Sequence, residues 1–246
     1  MDRLIYTAMT GANAAAHHQA ILSNNLANVS TNGFRAELHT YRSVPVRGDG
    51  ATTRVMAIEA TPGFLDTPGS PQRTGRAMDA MTTGNAWFAV QGLDGTEAYT
   101  RNGSFEVSNT GTLLTNTGLS VLSDGGAPIN VPQGAEVTLG IDGILSAKVG
   151  KQPATGIGRL KVATPTPEDP LRRGTDGLFR TVSGEPLASD PAARLQLGVI
   201  EGSNVNAIET MVDMIQAGRQ FEAQTRLMQT AEANDRSAAQ LLSMQG

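Results

Sequence analysis

Asn24-Asn25-Leu26-Ala27-Asn28-Val29-Ser30-Thr31-Asn32-Gly33-Phe34-Arg35 reads as the end of a helix followed by an anchor. The asparagines offer side-chain partners to the backbone, Gly33 can take the left-handed conformation that stops a helix, and Phe34 supplies a ring to dock beyond it. Upstream, Ile5, Ala8, Ala12, Ala15, Gln19, Leu22, Leu26 and Val29 alternate spacings of three and four, a heptad-like stripe with one polar interruption. Ala12, Ala14, Ala15, Ala16 and Ala20 favour helix and keep its surface slim, so that a second backbone can approach closely. Asp2 and Arg3 are the only formal charges in the first thirty residues. A helix of about 25 residues spans about 38 Å, and this one lacks the charged face that solvates an exposed helix. It is expected to pack on more than one side.

The other end of the chain repeats the behaviour. Over about 205–243, Met211, Met214, Gly218, Phe221, Thr225 and Met228 again alternate three and four, and Ile208, Val212 and Ile215 widen the stripe. After Ala231 the phase slips, and Ala238 and Leu242 continue it. Asn204 and Asn206 are both candidates for the N-cap. Glu209, Asp213, Glu222, Glu232 and Asp235, with Arg219, Arg226 and Arg236, make a solvated or salt-bridging edge. Neither stripe has a partner nearby in sequence, so the two ends are expected to pair with each other as a coiled coil.

Between them the texture is β. The runs 87–91 (WFAVQ), 104–107 (SFEV), 119–122 (LSVL), 136–139 (EVTL), 143–148 (GILSAK) and 194–200 (RLQLGVI) are short, apolar or alternating. Asp94-Gly95, Asn102-Gly103, Asp124-Gly125-Gly126, Asp142-Gly143 and Asp176-Gly177 separate them and favour tight turns, so a meander of hairpins is expected. Residues 37–75 fit neither pattern; Pro45, Gly48, Gly50, Pro62, Gly63, Pro68, Gly69 and Pro71 suggest an extended connector. The expected fold is therefore α+β: a helix and its terminal motif in 1–36, a connector in 37–75, a mostly antiparallel β domain in 76–200, and a second long helix in 201–246.

Composition excludes much chemistry. The 246 residues contain no cysteine, which removes thiolate catalysis, disulfides and Cys-ligated metal sites. A net charge of −4 argues against nucleic acid as a partner. Lys148, Lys151 and Lys161 are the only lysines, and the arginines are scattered rather than gathered into a phosphate-binding stripe. No apolar run is long enough to span a membrane, and the N-terminus lacks the basic start and apolar core of a cleavable signal peptide. Taken alone, these facts point to the cytoplasm. His17 and His18 are adjacent on a helix and diverge by about 100°. With His39 they form no metal-ligand spacing, and no cofactor loop is present. Asp124 and Asp142 sit in turns that account for them; a glycan-acting enzyme would need two carboxylates about 5–9.5 Å apart in a cleft. Trp87 is read as core rather than a sugar platform.

Two motifs make the chain specific. The stretch 24–35 resembles the N-L-A-N-x-x-T-x-G-[FY]-[KR] motif of the bacterial flagellar axial proteins, the rod and hook family. Glu201-Gly202-Ser203-Asn204-Val205-Asn206, followed by Met211-Val212 and Arg219-Gln220-Phe221-Glu222, is similar to the C-terminal motif of the same family. Trp87-Phe88-Ala89-Val90 with Tyr99-Thr100-Arg101-Asn102-Gly103 resembles the family's aromatic hairpin, with Asn85-Ala86 in the place of a commoner Asp-Gly. The extreme ends, Met1–Met9 and Leu241–Met244, look most like those of a proximal-rod member.

The resemblance implies a structural, non-enzymatic subunit of the flagellar basal-body rod, the drive shaft linking motor to hook, without cofactor or metal. Its partners would be the proximal and distal rod subunits, other copies of itself in a helical assembly, and the flagellar type III export apparatus. Export by that route would bring it to the basal body in the periplasm without a cleavable signal, in place of the cytoplasm. The assembly surface is expected to include Ile5, Ala8, Ala12, Leu22, Asn25, Leu26, Asn28, Gly33 and Phe34. From the C-terminal segment it would draw Asn204, Val205, Met211, Met214, Ile215 and Phe221. A distal-rod or hook paralogue is the alternative within the family.

Overall fold

The alanine-rich ends fold as helices and the glycine-punctuated middle as short antiparallel strands, an α+β architecture. The computed structural model describes residues 2–38, 40–45, 55–59 and 63–243. These form two compact units. The first comprises Met1–Val29, Ala36–Leu65 and Val205–Gly246; the second comprises Ser30–Arg35 and Asp66–Asn204.

The first unit is built on α1 (Asp2–Ala27) and α2 (Ala207–Ser243). Asn206 caps α2: its Oδ1 accepts from the backbone N–H groups of Ile208 (3.2 Å) and Glu209 (3.4 Å), which supplies two of the helix's orphan donors with a partner. The helices pack side by side and antiparallel, with Gly11 against the Gln224 amide and Ala16, Gln19, Ala20 and Ser23 across a groove from Met214 and Phe221. On α1 the buried positions are Ala8, Ala12, Ala15, Leu22 and Asn25, with Ile5 and Leu26 half-buried and Gln19 exposed. On α2 burial recurs every seven residues at Thr210, Ala217 and Ala231, with Gln224 half-buried between them. This differs by one position from the stripe expected through Met211, Gly218 and Thr225. The physical reason is size: where two backbones run close, the seam admits the smaller side chains and turns the bulky ones out.

Four strands complete this unit: β1 (Glu37–Leu38), β2 (Tyr41–Pro45), β3 (Val55–Glu59) and β4 (Gly63–Phe64). β1 pairs with β4 and β2 with β3, all antiparallel. Tyr41 Oη donates to the Ala14 carbonyl at 2.7 Å, tying β2 to α1. These strands lie within the stretch read as a connector; His39, 46–54 and 60–62 fall outside the described residues.

The second unit holds β5 (Pro71–Arg73), β6 (Ala80–Thr82), β7 (Trp87–Gln91), β8 (Glu97–Thr100), β9 (Phe105–Val107), β10 (Leu113–Thr115) and β11 (Ala135–Leu139). It continues with β12 (Ile144–Val149), β13 (Thr155–Arg159), β14 (Val162–Ala163), β15 (Leu171–Arg173), β16 (Phe179–Thr181), β17 (Leu195–Leu197) and β18 (Val199–Glu201). A five-stranded sheet in the order β14-β7-β8-β16-β15 and a three-stranded sheet β11-β12-β13 are its largest layers. Phe88, Phe105, Leu113, Val121, Leu145 and Leu160 anchor the main core, with Phe88 edge-on to Phe105 at 5.1 Å. The 119–122 run makes isolated bridges rather than a strand. Gly198, with φ +66°, breaks the 194–200 run into β17, which pairs with β6, and β18, which pairs with β5.

Three hairpin turns are copies of one device, at 92–96, 140–144 and 174–178. In each, the first glycine N–H bonds the carbonyl four residues on (2.8, 2.8 and 2.7 Å), and the Asp Oδ1 accepts from the N–H two residues later (3.0, 3.2 and 3.1 Å). The glycine after each Asp takes the positive φ that a three-residue loop requires. Asn102-Gly103 is different. Gly103 has no positive φ; it is glycine because a Cβ there would collide with the Ala80 carbonyl oxygen.

Candidate functional site

The sequence motifs meet in one buried cluster of the second unit. Glu201, at the end of β18, places Oε1 2.8 Å from Arg35 Nη2 and Oε2 3.5 Å from Arg101 Nη1, and all three side chains are fully buried. Oε1 also accepts from Gly69 N–H at 3.0 Å. Arg101 donates to Thr82 Oγ1 (2.7 Å), the Gly84 carbonyl (2.9 Å) and Asn85 Oδ1 (3.3 Å). Arg35 donates to the Thr67 carbonyl. Trp87, whose Nε1 also bonds Asn85 Oδ1 (3.3 Å), lies with its ring 4.9 Å from the Arg101 guanidinium carbon and 5.8 Å from that of Arg35. Phe179 covers another side of the indole, 4.6 Å away. Trp87 and Phe88 point to opposite faces of β7, so one residue serves this cluster and the next serves the main core.

Two guanidiniums share the one buried carboxylate, and the charge of Asp66 also acts on both. Burial pushes both arginines below their ordinary pKa and Glu201 opposes the shift. Arg101 falls to about 10 and stays cationic at neutral pH. The Nε groups of Arg35 and Arg101 have no hydrogen-bond acceptor among the described residues; the electron-rich face of Trp87 offsets part of that cost. Removing one partner from such a buried set strands the other charges, at about 3–5 kcal/mol.

The motif's backbone is fixed by the same cluster. Gly33, at φ +70°, donates its N–H to the Glu201 carbonyl at 2.7 Å, and a Cβ on it would collide with the backbone of Arg101 and Asn102. Phe34 is buried beneath Arg173, whose guanidinium carbon sits 4.4 Å from the ring. Asn204 N–H donates to the Phe34 carbonyl (3.3 Å) and Asn204 Nδ2 to the Thr67 carbonyl (2.9 Å). The structure thus joins Gly33, Phe34 and Asn204 of the expected residues. Arg35, Arg101, Glu201 and Trp87 were within the quoted motifs, but their shared role was not readable; the available signal was charge embedded in apolar runs.

The remaining expected residues lie in the first unit. Asn25 exchanges two hydrogen bonds with the Glu37 backbone, Nδ2 to the carbonyl (3.0 Å) and the N–H to Oδ1 (2.8 Å), so it acts as a strand partner for β1. Asn28 Nδ2 returns to the Asn24 carbonyl at 2.9 Å and closes the helix end. Ala8, Ala12 and Leu22 line the α1 seam. Met214 and Val205 are half-buried. Met211 (50%), Ile215 (58%) and Phe221 (40%) are exposed, as are Tyr6, Met9, Ile208, Val212 and Leu227. On α2, Ile208, Met211, Val212 and Ile215 are therefore exposed while the small Ala217 and Ala231 are buried. Among the described residues no group of His, Asp and Glu is arranged to hold a metal, and no described helix is long and apolar enough to cross a membrane. Asp142 and Asp124 are engaged in turn and loop bonds to Ile144 N–H and Ser189 Oγ.

The chain is 44% identical to the flagellar basal-body rod protein FlgF of Escherichia coli K12, over 99% of this chain and 100% of that protein. The chain belongs to the flagellar basal-body rod family. The same identity and coverage hold for FlgF of Salmonella typhimurium LT2, and FlgG of Buchnera aphidicola from Acyrthosiphon pisum is 29% identical over 96% of this chain. Three family models match in succession: the flagella basal body rod protein over 5–35, the flagellar hook protein FlgE/F/G D1 domain over 81–147, and the flagellar basal body rod FlgEFG protein C-terminal over 196–241. As a rod-family member it is a structural subunit of the basal body and not an enzyme. The buried cluster draws one charged residue from each of the three matched regions.

Proposed function

We propose that the chain builds the proximal part of the rod through its terminal helices, which pair as a coiled coil within one subunit and pack against neighbouring copies and other rod subunits. The observation that carries this is the inverted packing of the first unit. Its seam is lined by Ala8, Ala12, Ala15, Ala217 and Ala231, while Ile208, Met211, Val212 and Ile215 are exposed on α2. A buried alanine methyl is worth about 0.8 kcal/mol, too little to offset about 1–2 kcal/mol of backbone entropy per residue. The outward apolar row must be covered for the helices to gain what a compact domain gains internally. Heterologous contacts whose rotation does not close propagate as a helical array.

In this assembly 1–36 and 201–246 are the joining segments and 76–200 is the outer β domain, with 37–75 leading between them. Ile5, Ala8, Ala12, Leu22, Asn25 and Leu26 form the α1 part of the joining surface. Asn28, Gly33, Phe34, Asn204 and Val205 set its root, and Met211, Met214, Ile215 and Phe221 form the α2 part. The location is the periplasmic basal body, reached through the flagellar type III export apparatus; a chain lacking cysteine suits passage into an oxidising compartment.

The test is a pair of substitutions, Ile215→Asp and Phe221→Asp, in a strain that depends on this chain for motility. Both are expected to abolish swimming and incorporation into basal bodies, while the purified chains keep Trp87 buried. Normal incorporation of Ile215→Asp would refute the assignment of that face.

A further inference from the structure

The chain enters or leaves the second unit at four points: Ser30, Arg35, Asp66 and Asn204. Three short segments carry them, 30–35, 66–70 and 201–204, and each is tied to the others near Glu201. Arg35 reaches Glu201 Oε1 (2.8 Å) and the Thr67 carbonyl. Gly69 N–H bonds Glu201 Oε1 (3.0 Å), and Gly202 N–H bonds the Ser70 carbonyl (2.9 Å). Gly33 N–H bonds the Glu201 carbonyl (2.7 Å), and Asn204 N–H the Phe34 carbonyl (3.3 Å). The main core, built on Phe88, Phe105, Leu113 and Leu145, uses none of these groups.

We infer that the Glu201 carboxylate is a latch: the three segments open and close together as one cooperative element, distinct from the sheet core, and the latch decides whether the roots of both terminal helices are held. Its partners are distant in the chain, with Gly69 and Glu201 132 positions apart. Loop-closure entropy makes such a contact late to form. In a chain delivered from its N-terminus, residues 33–35 can meet Thr67, Trp87 and Arg173 earlier, but the carboxylate and carbonyl of Glu201 arrive last. Completion of the latch is thereby coupled to delivery of nearly the whole chain. The latch does not depend on rod assembly, so it is testable on the isolated full-length protein.

The experiment is native-state hydrogen exchange on the full chain, wild type against Glu201→Gln, which keeps the volume and removes the charge. The amides of Gly33, Gly69, Gly202 and Asn204 are expected to exchange about 100-fold faster in the variant. Ala89 and Gln91, bonded to the Lys161 and Ser120 carbonyls, are expected to change by less than about fivefold. Equal acceleration of Ala89 and Gln91 would make Glu201 an ordinary core residue, and no change at the four amides would remove its role; either overturns the latch. If Glu201→Gln does not fold, the wild type answers alone. At low denaturant the four amides are expected to share one opening free energy and one denaturant slope, below those of Ala89 and Gln91. Separate openings, or merger with Ala89 and Gln91, would overturn the inference.

Discussion

Gly33→Ala separates two costs that one glycine removes. The first is conformational: Gly33 sits at φ +70°, where a non-glycine residue pays about 1–2 kcal/mol. The second is contact, because a Cβ would collide with the Arg101 carbonyl carbon and the Asn102 nitrogen, and these are backbone atoms. They cannot rotate away as a side chain would, and Arg101 is further held by Thr82, Gly84 and Asn85. Overpacking a rigid site costs about 1–3 kcal/mol, so the whole penalty is about 2–5 kcal/mol. The reference is Gly118→Ala, where φ is +83° and nothing lies within 4 Å of the new Cβ; only the first cost applies. The assay is urea unfolding followed by the fluorescence of Trp87, the single tryptophan, which lies in the cluster itself. With a slope of about 2 kcal/mol per M, Gly33→Ala is expected to lower the midpoint by about 1–2.5 M and Gly118→Ala by about 0.5–1 M. Equal midpoints for the two variants would refute the contact term and, with it, the account of why this motif requires glycine.

Tyr99 supplies a pH dependence. Its Oη donates to Glu97 Oε1 (2.6 Å) and accepts from Leu187 N–H (2.6 Å); burial, then the Glu97 bond, pushes the phenol well above its ordinary value of 10.0. Above about pH 10 the unfolded chain loses this proton while the folded chain keeps it, so stability falls as pH rises, by up to about 1.4 kcal/mol per pH unit. The unfolding free-energy difference between wild type and Tyr99→Phe is expected to narrow between pH 9 and 11.5, and a pH-independent difference would contradict the shift. Arg180 bridges Asp94 (3.1 Å) and Asp176 (2.8 Å) at the surface. Arg180→Gln is expected to move the Trp87 transition far less than Gly33→Ala, and about 1 M salt should erase the effect; a salt-insensitive loss would mean the network is more than a surface bridge.

The α1 seam was legible because Ala8, Ala12, Ala15 and Leu22 combine apolarity with helical spacing, and the structure buries those four. On α2 the same reasoning followed the methionines and landed one residue off, since burial falls on Thr210, Ala217 and Ala231. Hydrophobicity identifies bulky side chains, whereas a close helix pair selects small ones for its inside. The Asp-Gly turns at 94, 142 and 176 were readable from local chemistry, because each Asp bonds its own backbone two residues on. Gly103 was not, because its reason is the Ala80 carbonyl on another segment. Nor was the Arg35–Glu201–Arg101 cluster, whose members are far apart in the chain and whose charges would ordinarily be placed at the surface.

The two units follow opposite packing logic, and the outward face of α2 shows how that restricts assembly. Ile208, Met211, Val212 and Ile215 continue, on the same side of the helix, into Arg219, Glu222 and Arg226, all exposed. A neighbouring helix that buries the apolar part gains about 1.5–3 kcal/mol for each large side chain it covers. Sliding it by one turn, about 5.4 Å, would bring Arg219 and Glu222 into the contact, and an unpaired buried charge costs several kcal/mol. In the proposed assembly the apolar half would attract the neighbour and the charged half would fix its register. A stripe that stayed apolar through Arg226 would bind more strongly and would allow slippage, which a shaft transmitting torque must avoid.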